Sequence, residues 1–245
     1  MINKKLDAAF GTASMLLFAA PLSPFSKYAQ WLSSGLPPGR AVKAGDTDCF
    51  VPNYGVFRFI SDGRVAAPRE FEDIGGIKLK IAGADALQLA KRFHDAVKFV
   101  VNYSAGSNLA VSSSTMFKNC SNAHACVGTF DSKFIAYCSW SDFNEYCFGV
   151  YRTFYSQHCI KCYFSSRLRS CFEVDSCNNC SGLYFCHNCE NVHDSAFCFN
   201  ASNMRYAIGN QIVGREKFLL FKSQLQKVII EKLEKDSTLG ISIFG

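Results

Sequence analysis

Cysteine is the residue whose number and spacing most invite chemistry in this chain. Three Cys-x-x-Cys pairs, Cys159/Cys162, Cys177/Cys180 and Cys186/Cys189, have the spacing of zinc knuckles, and His124, His158, His187 and His193 lie near them in sequence. His158 beside Cys159 suggests a thiol–imidazole pair, and Glu173 with Asp175 suggests paired carboxylates. The pattern in which these residues sit weakens each reading. From Cys120 to Cys198 every gap between successive cysteines is a multiple of three, so Cys-x-x-Cys arises without any demand for a metal. The histidines fall outside the cysteine phase. Neighbouring residues of an extended chain point to opposite sides, which separates His158 from Cys159.

That period defines the element that must position everything else. Cys120, Cys126, Cys138, Cys147, Cys159, Cys162, Cys171, Cys177, Cys180, Cys186, Cys189 and Cys198 share one phase with Ala123, Thr129, Ile135, Ser141, Val150, Thr153, Ser165, Val174, Leu183, Val192, Ser195 and Ala207, nearly all small or apolar. The other two phases carry almost all the charges, glycines and aromatics. A period of three fits neither an α-helix nor a flat strand, and a polyproline helix would bury nothing. The remaining solution is a narrow β-solenoid with one residue in three pointing inward. Twelve residues per coil stacks Asn179, Asn191 and Asn203, sets Cys147, Cys159 and Cys171 in one column, and places Phe185 against Phe197 and Asn188 against Asn200; nine aligns only the cysteines. About eight coils are expected across 117–213. The register predicts that Cys159→Arg, inward, unfolds the solenoid, whereas Lys161→Ala, outward, is nearly silent.

A twelve-residue coil with inward residues every third position and cysteines six apart, as in Cys120/Cys126, Cys171/Cys177 and Cys180/Cys186, resembles the repeat of the beetle antifreeze proteins. The resemblance covers about 95 residues and implies a right-handed β-solenoid with disulfides across the bore. It does not imply ice binding, because the flanking positions Asn119/Ser121, Asp131/Lys133, Phe143/Glu145 and Arg167/Arg169 lack Thr-x-Thr ladders. The closing run, Cys-x-x-Cys and then Phe199 to Asn210 ahead of a helix, also looks like cysteine-rich repeats in uncharacterised prokaryotic and viral proteins.

The rest of the chain reads as flanking structure. Residues 1–48 form an N-terminal helix, with Phe10, Met15, Leu16 and Phe18 apolar, followed by a wrapped arm rich in Pro and Gly. Residues 49–110 form a small α+β unit with strands at Val56–Ile60 and Ile77–Ile81 and a helix after Asp85 that buries Leu87, Leu89, Ala90, Phe93, Ala96, Val97 and Val100. The solenoid occupies 111–213, and 214–245 is a capping helix and tail with an apolar stripe of Phe218, Leu219, Leu225, Val228, Ile229 and Leu233. The fold class is therefore mainly β.

With 49% apolar and only 19% charged residues the chain can bury a full core, and its net charge of +6, spread without Lys/Arg blocks, does not point to nucleic acid. The apolar N-terminal run is too short to span a bilayer, which leaves at most a surface contact there. Uneven cysteine placement along the coils favours thiols over a disulfide framework, hence a cytoplasmic assembly or a virion over secretion. One outer side is aromatic: Phe148, Ile160, Phe172 and Tyr184 in one column, Phe134 and Tyr146 across it, and Tyr151, Tyr163, Phe185, Phe197 and Phe199 on the next. Either the chain's own termini cover that side or it is an interaction face. The expectation is a non-enzymatic structural or interaction protein, a stiff module docked through its aromatic side and termini to protein partners or further copies of itself, with no cofactor. The alternatives are a metal or redox module on the thiol ladder and a glycan-binding or glycan-cleaving β-helix.

Overall fold

In the computed structural model, the residues described are 4–35, 39–53, 55–70, 74, 76–141, 144–146, 148–150, 153, 155–163, 165, 167, 169–174 and 181–243. The helices in chain order are α1 (Lys4–Phe18), α2 (Ala29–Ser33), α3 (Ala86–Ala96) and α4 (Arg215–Asp236). The chain divides into two compact units, one made of 1–36 with 105–245, the other of 37–104.

The first unit is a parallel β-solenoid of about seven turns. Its pairing has one offset throughout: Leu109 lies against Ser121, Ser121 against Lys133, Lys133 against Glu145, Glu145 against Gln157, Cys171 against Leu183, Leu183 against Ser195, and Ala196 against Ile208. Each step is twelve residues, the coil length that the Asn and Cys columns indicate. The stacking is in place by Ala105, whose carbonyl accepts from the Asn119 N–H, ahead of the first inward residues read from sequence.

How a chain turns four times in twelve residues is visible in its backbone. The residue just before most inward positions adopts positive φ, as at Ser113, Met116, Asn119, Asn122, Ala125, Asp131, Phe134 and Tyr137 and onward to Asn203 and Tyr206. Asn and Asp tolerate this left-handed conformation better than most residues, which explains their abundance in that phase. The ladders also bond from coil to coil, with Asn119 donating to Asp131 at 2.8 Å, Asn188 to Asn200 at 2.8 Å and Asn191 to Asn203 at 2.6 Å. Corner residues such as Ala125, Asp131, Tyr137 and Phe197 donate their N–H to the carbonyl thirteen residues earlier, so the strained corners keep their backbone bonds.

The same corners account for the inward residue types. A thiol or hydroxyl inside the bore donates to the carbonyl two residues before it: Cys126 to His124 at 3.2 Å, Cys138 to Ala136 at 3.3 Å, Cys159 to Gln157 at 3.0 Å, Ser132 to Phe130 at 2.7 Å and Ser165 to Tyr163 at 2.8 Å. A small side chain with one donor fills a narrow bore and satisfies a corner carbonyl at once.

A second core lies on the solenoid's aromatic flank. Helix α1 buries Leu6, Phe10, Ala13, Leu17 and Phe18 at helical spacing, while Met15 and Leu16 stay exposed. Phe10 meets Phe148 at 5.1 Å between ring centroids, and Phe18 meets Phe172 edge-on at 4.8 Å. Asp7, which breaks the apolar run, accepts from the Ser23 hydroxyl at 2.7 Å and the Phe25 N–H at 2.6 Å and so folds the arm back on α1. Beyond the last coil, Ala207–Ile208 pairs antiparallel with Gln211–Ile212. Helix α4 then runs back along the flank, with Phe218 beside Tyr206, Phe221 beside Phe197, Gln226 donating to the Tyr184 hydroxyl at 3.1 Å, and the Glu234 carbonyl accepting from Lys27 at 2.8 Å.

Helix α2 approaches closely at Gly149, where an added Cβ would lie 2.0 Å from the Leu32 carbonyl oxygen; φ there is +85°. Gly149→Ala is therefore expected to cost about 1–3 kcal/mol from backbone conformation alone and to push α2 outward. In a Trp140→Phe background, red-shifted emission from Trp31, which is 3% exposed in the wild type, checks this.

The second unit departs most from the sequence reading. Strands β1 (Gly39–Ala44) and β2 (Thr47–Pro52) form a hairpin that runs from the segment read as arm into the α+β unit, and Val42, Cys49, Val51, Ile60, Val65 and Val101 pack as its core. Val65–Ala66 pairs in parallel with Phe99–Val100. Val56–Ile60, expected as a strand, is mostly a 3-10 turn (Gly55–Phe59), and Ile77–Ile81 is not paired as a strand. Asp85 caps α3 reciprocally with Gln88, as a helix start requires, but no residue of α3 is buried and Leu87 is 83% exposed. Alternation and amphipathicity gave those expectations; local periodicity does not specify whether a neighbour exists to cover the apolar side.

Candidate functional site

Three groupings of side chains bear on function: the thiols in the bore, the aromatic flank and a charged rung between two coils. Cys120, Cys126, Cys138, Cys159, Cys162, Cys171, Cys186, Cys189 and Cys198 are all buried in the bore. None of the ten described cysteines, Cys49 included, forms a disulfide. Cys147, Cys177 and Cys180 lie outside the described residues, and with them two of the Cys-x-x-Cys ligand positions. Burial raises the pKa of Cys126, Cys162 and Cys171 well above the ordinary thiol value, and hydrogen bonds to neighbouring thiols add to the effect at Cys126 and Cys162. Cys198 differs: a hydrogen bond from Cys186 leads the causes that hold it at about 6.

The histidines stand outside the bore. His124 lies 2.9 Å from the Ser112 hydroxyl and edge-on to Phe25 and Tyr137, His158 stacks on Tyr146 at 5.4 Å, and His193 lies 3.0 Å from Asn191. Cys159 and Cys162 do converge, but with Cys171 as the third member.

The chain's own helices cover the aromatic column. Phe148, Ile160 and Phe172 are 0% exposed and Tyr184 is 1%, packed with residues of α1, α2 and α4. Those four therefore correct the expectation of an open interaction face, because the apolar faces of the terminal helices find their partner there. Tyr163 and Phe185 are also buried, Phe134 and Tyr146 are half-buried and stacked at 6.0 Å, and Tyr151 is outside the described residues. Phe197 and Phe199 remain exposed, at 38% and 55%. With Phe185, Ile241 and Ile243 they line a cavity of about 430 Å³. The opposite side is polar and open, as Asn119, Lys133, Glu145, Arg167, Arg169, Asn191 and Arg205 predict.

The charged rung went unnoticed in the sequence. Lys161 and Glu173 occupy the same corner column twelve residues apart, with Nζ and Oε1 separated by 3.6 Å and side chains 2% and 0% exposed. Glu173 Oε1 also accepts from the Ser242 hydroxyl at 2.6 Å and the Ile243 N–H at 3.2 Å, which ties down the C-terminal tail. Burial holds the Lys161 ammonium below the ordinary lysine pKa, and the Glu173 carboxylate opposes that shift. The signal was present as opposite charges one coil apart in a single column. Asp175, the proposed partner of Glu173 in a carboxylate pair, lies outside the described residues; Glu173 is committed to Lys161 and the tail.

The fold and these groupings define the class: a cysteine-rich parallel β-solenoid with twelve-residue coils, sealed along one flank by its own helices. No protein-family model, curated protein or solved structure matches the chain. Among the described residues no helix is long and apolar enough to cross a membrane.

Proposed function

We propose that the chain is a non-enzymatic structural or interaction protein, a stiff solenoid module built into a larger assembly, with a virion or comparable particle as the setting. The observation that carries this reading is how its chemistry-bearing side chains are used. The bore thiols face one another or bond to corner carbonyls, Lys161 and Glu173 pair in a buried site, and His158 stacks on a tyrosine. Such a molecule offers shape and surface. The contact surface is the open end of the aromatic flank, where Phe197, Phe199 and Ile241, 57% exposed, surround the cavity. Exposed aromatics clustered beside a concavity are what a protein partner buries best.

The test is site-specific photo-crosslinking in the organism that makes the protein. A benzophenone side chain at Phe199 is expected to yield a discrete protein adduct, another copy of the chain included, that Ile241→Asp abolishes. The same group at Asn191, on the polar side, should give none. No adduct at either position, or equal adducts at both, would remove the proposal.

A further inference from the structure

Cys159, Cys162 and Cys171 form the one group of three candidate metal-ligand atoms among the described residues, with their Sγ atoms all within 4.8 Å of one another and all three residues fully buried. The solenoid geometry explains the convergence. Cys159 and Cys162 lie on adjacent sides of one coil, and Cys171 stacks on Cys159 in the next. Most bore thiols bond to the carbonyl two residues earlier; the Cys162 sulfur lies within 4.8 Å of the sulfurs of both Cys159 and Cys171. Val150 and Val174 flank Cys162 in its column, and Leu183 follows Cys171; all three are buried. Buried Ser156 and Ser165 occupy the other inward positions of that coil.

We propose that Cys159, Cys162 and Cys171 form a trigonal site for one soft monovalent cation, Cu(I). Thiolate sulfur selects such ions over hard ones. A planar ion about 2.3 Å from each of three sulfurs sets them about 4.0 Å apart, so sub-ångström tightening suffices. Structural zinc takes four ligands, and among the described residues no fourth Cys, His, Asp or Glu joins this group. Each Cu–S bond that replaces an S–H bond releases one proton to the buffer. The thiols are sealed in, so the ion enters as the coils close around it and loading is coupled to folding. This site adds to the proposed structural role and does not depend on it.

The experiment refolds the reduced full chain anaerobically with and without Cu(I), desalts it, and challenges it with bathocuproine disulfonate. The wild type is expected to retain one more copper ion than Cys162→Val, a substitution already present in that column at Val150 and Val174. Cys120→Ala should lose none relative to wild type. Copper-edge absorption should show sulfur neighbours only, and the melting temperature should rise with copper in the wild type more than in Cys162→Val. Equal copper retention with matching melts, or nitrogen and oxygen neighbours, would overturn the site. Zinc retained in preference to copper and released by Cys147→Ala would also overturn it, because that result requires a fourth sulfur.

Discussion

Replacing Lys161 with alanine is expected to destabilise the protein by about 3–5 kcal/mol, because it leaves the Glu173 carboxylate buried without its cation. That loss is a large part of the roughly 5–15 kcal/mol that holds a typical protein folded. The change should also loosen the tail, since Glu173 Oε1 is the acceptor for both Ser242 and Ile243. Outward phase alone predicts a nearly silent substitution. The structure reverses that expectation, because the Lys161 side chain is 2% exposed, with Nζ 6.0 Å from the centre of the Trp31 ring. Chemical denaturation of Lys161→Met, Glu173→Gln and Lys161→Met/Glu173→Gln, beside Lys161→Ala, measures the coupling. The double variant removes both charges and keeps an acceptor for the tail, so it should recover most of the loss seen in Lys161→Ala. A Lys161→Ala protein that unfolds at the wild-type midpoint would show that the rung is not buried.

Cys159→Arg should have the larger effect and abolish the folded state. Cys159 is 0% exposed, and its thiol donates to the Gln157 carbonyl at 3.0 Å. A guanidinium there exceeds the space between stacked coils, and burying its charge without a partner costs several kcal/mol. The damage should spread, since each coil is the template for its neighbours. The expected result is no cooperative thermal transition by circular dichroism and recovery only from the insoluble fraction. Cys159→Ala is the control, because Ala123 and Ala207 occupy the same column and are buried there without disrupting it. A cooperative melt for Cys159→Arg near that of Cys159→Ala would mean that position 159 does not face the bore.

These two substitutions mark the limits of what period and register reveal. The inward phase was legible because a bore admits one kind of residue at every third position, and that demand repeats in each coil. The twelve-residue stagger was legible because stacked neighbours in a column become alike. The left-handed corners left a signal as well, in the Asn, Asp and Gly that precede inward positions, although aromatics share that phase and dilute it. The helix after Gly214 was also readable from its stripe.

The fate of the outward columns could not be read the same way. Phe148 and Phe172 look like an exposed aromatic ladder until α1 brings Phe10 and Phe18 onto them from more than 130 residues earlier in the chain. Lys161 looks solvated until α2, the tail and Glu173 close around it. In 37–104 the local pattern even misassigns elements, because Val56–Ile60 and Ile77–Ile81 alternate like strands yet have no ladder to join. The sequence by itself determined the repeat: its inward residues, its coil length and its small, donor-bearing core. Only the tertiary structure decided which outward residues are core, which are surface and which thiols meet. Stacking is a local interaction repeated at a constant interval, whereas covering a flank or closing a thiol triad depends on distant segments arriving at one place.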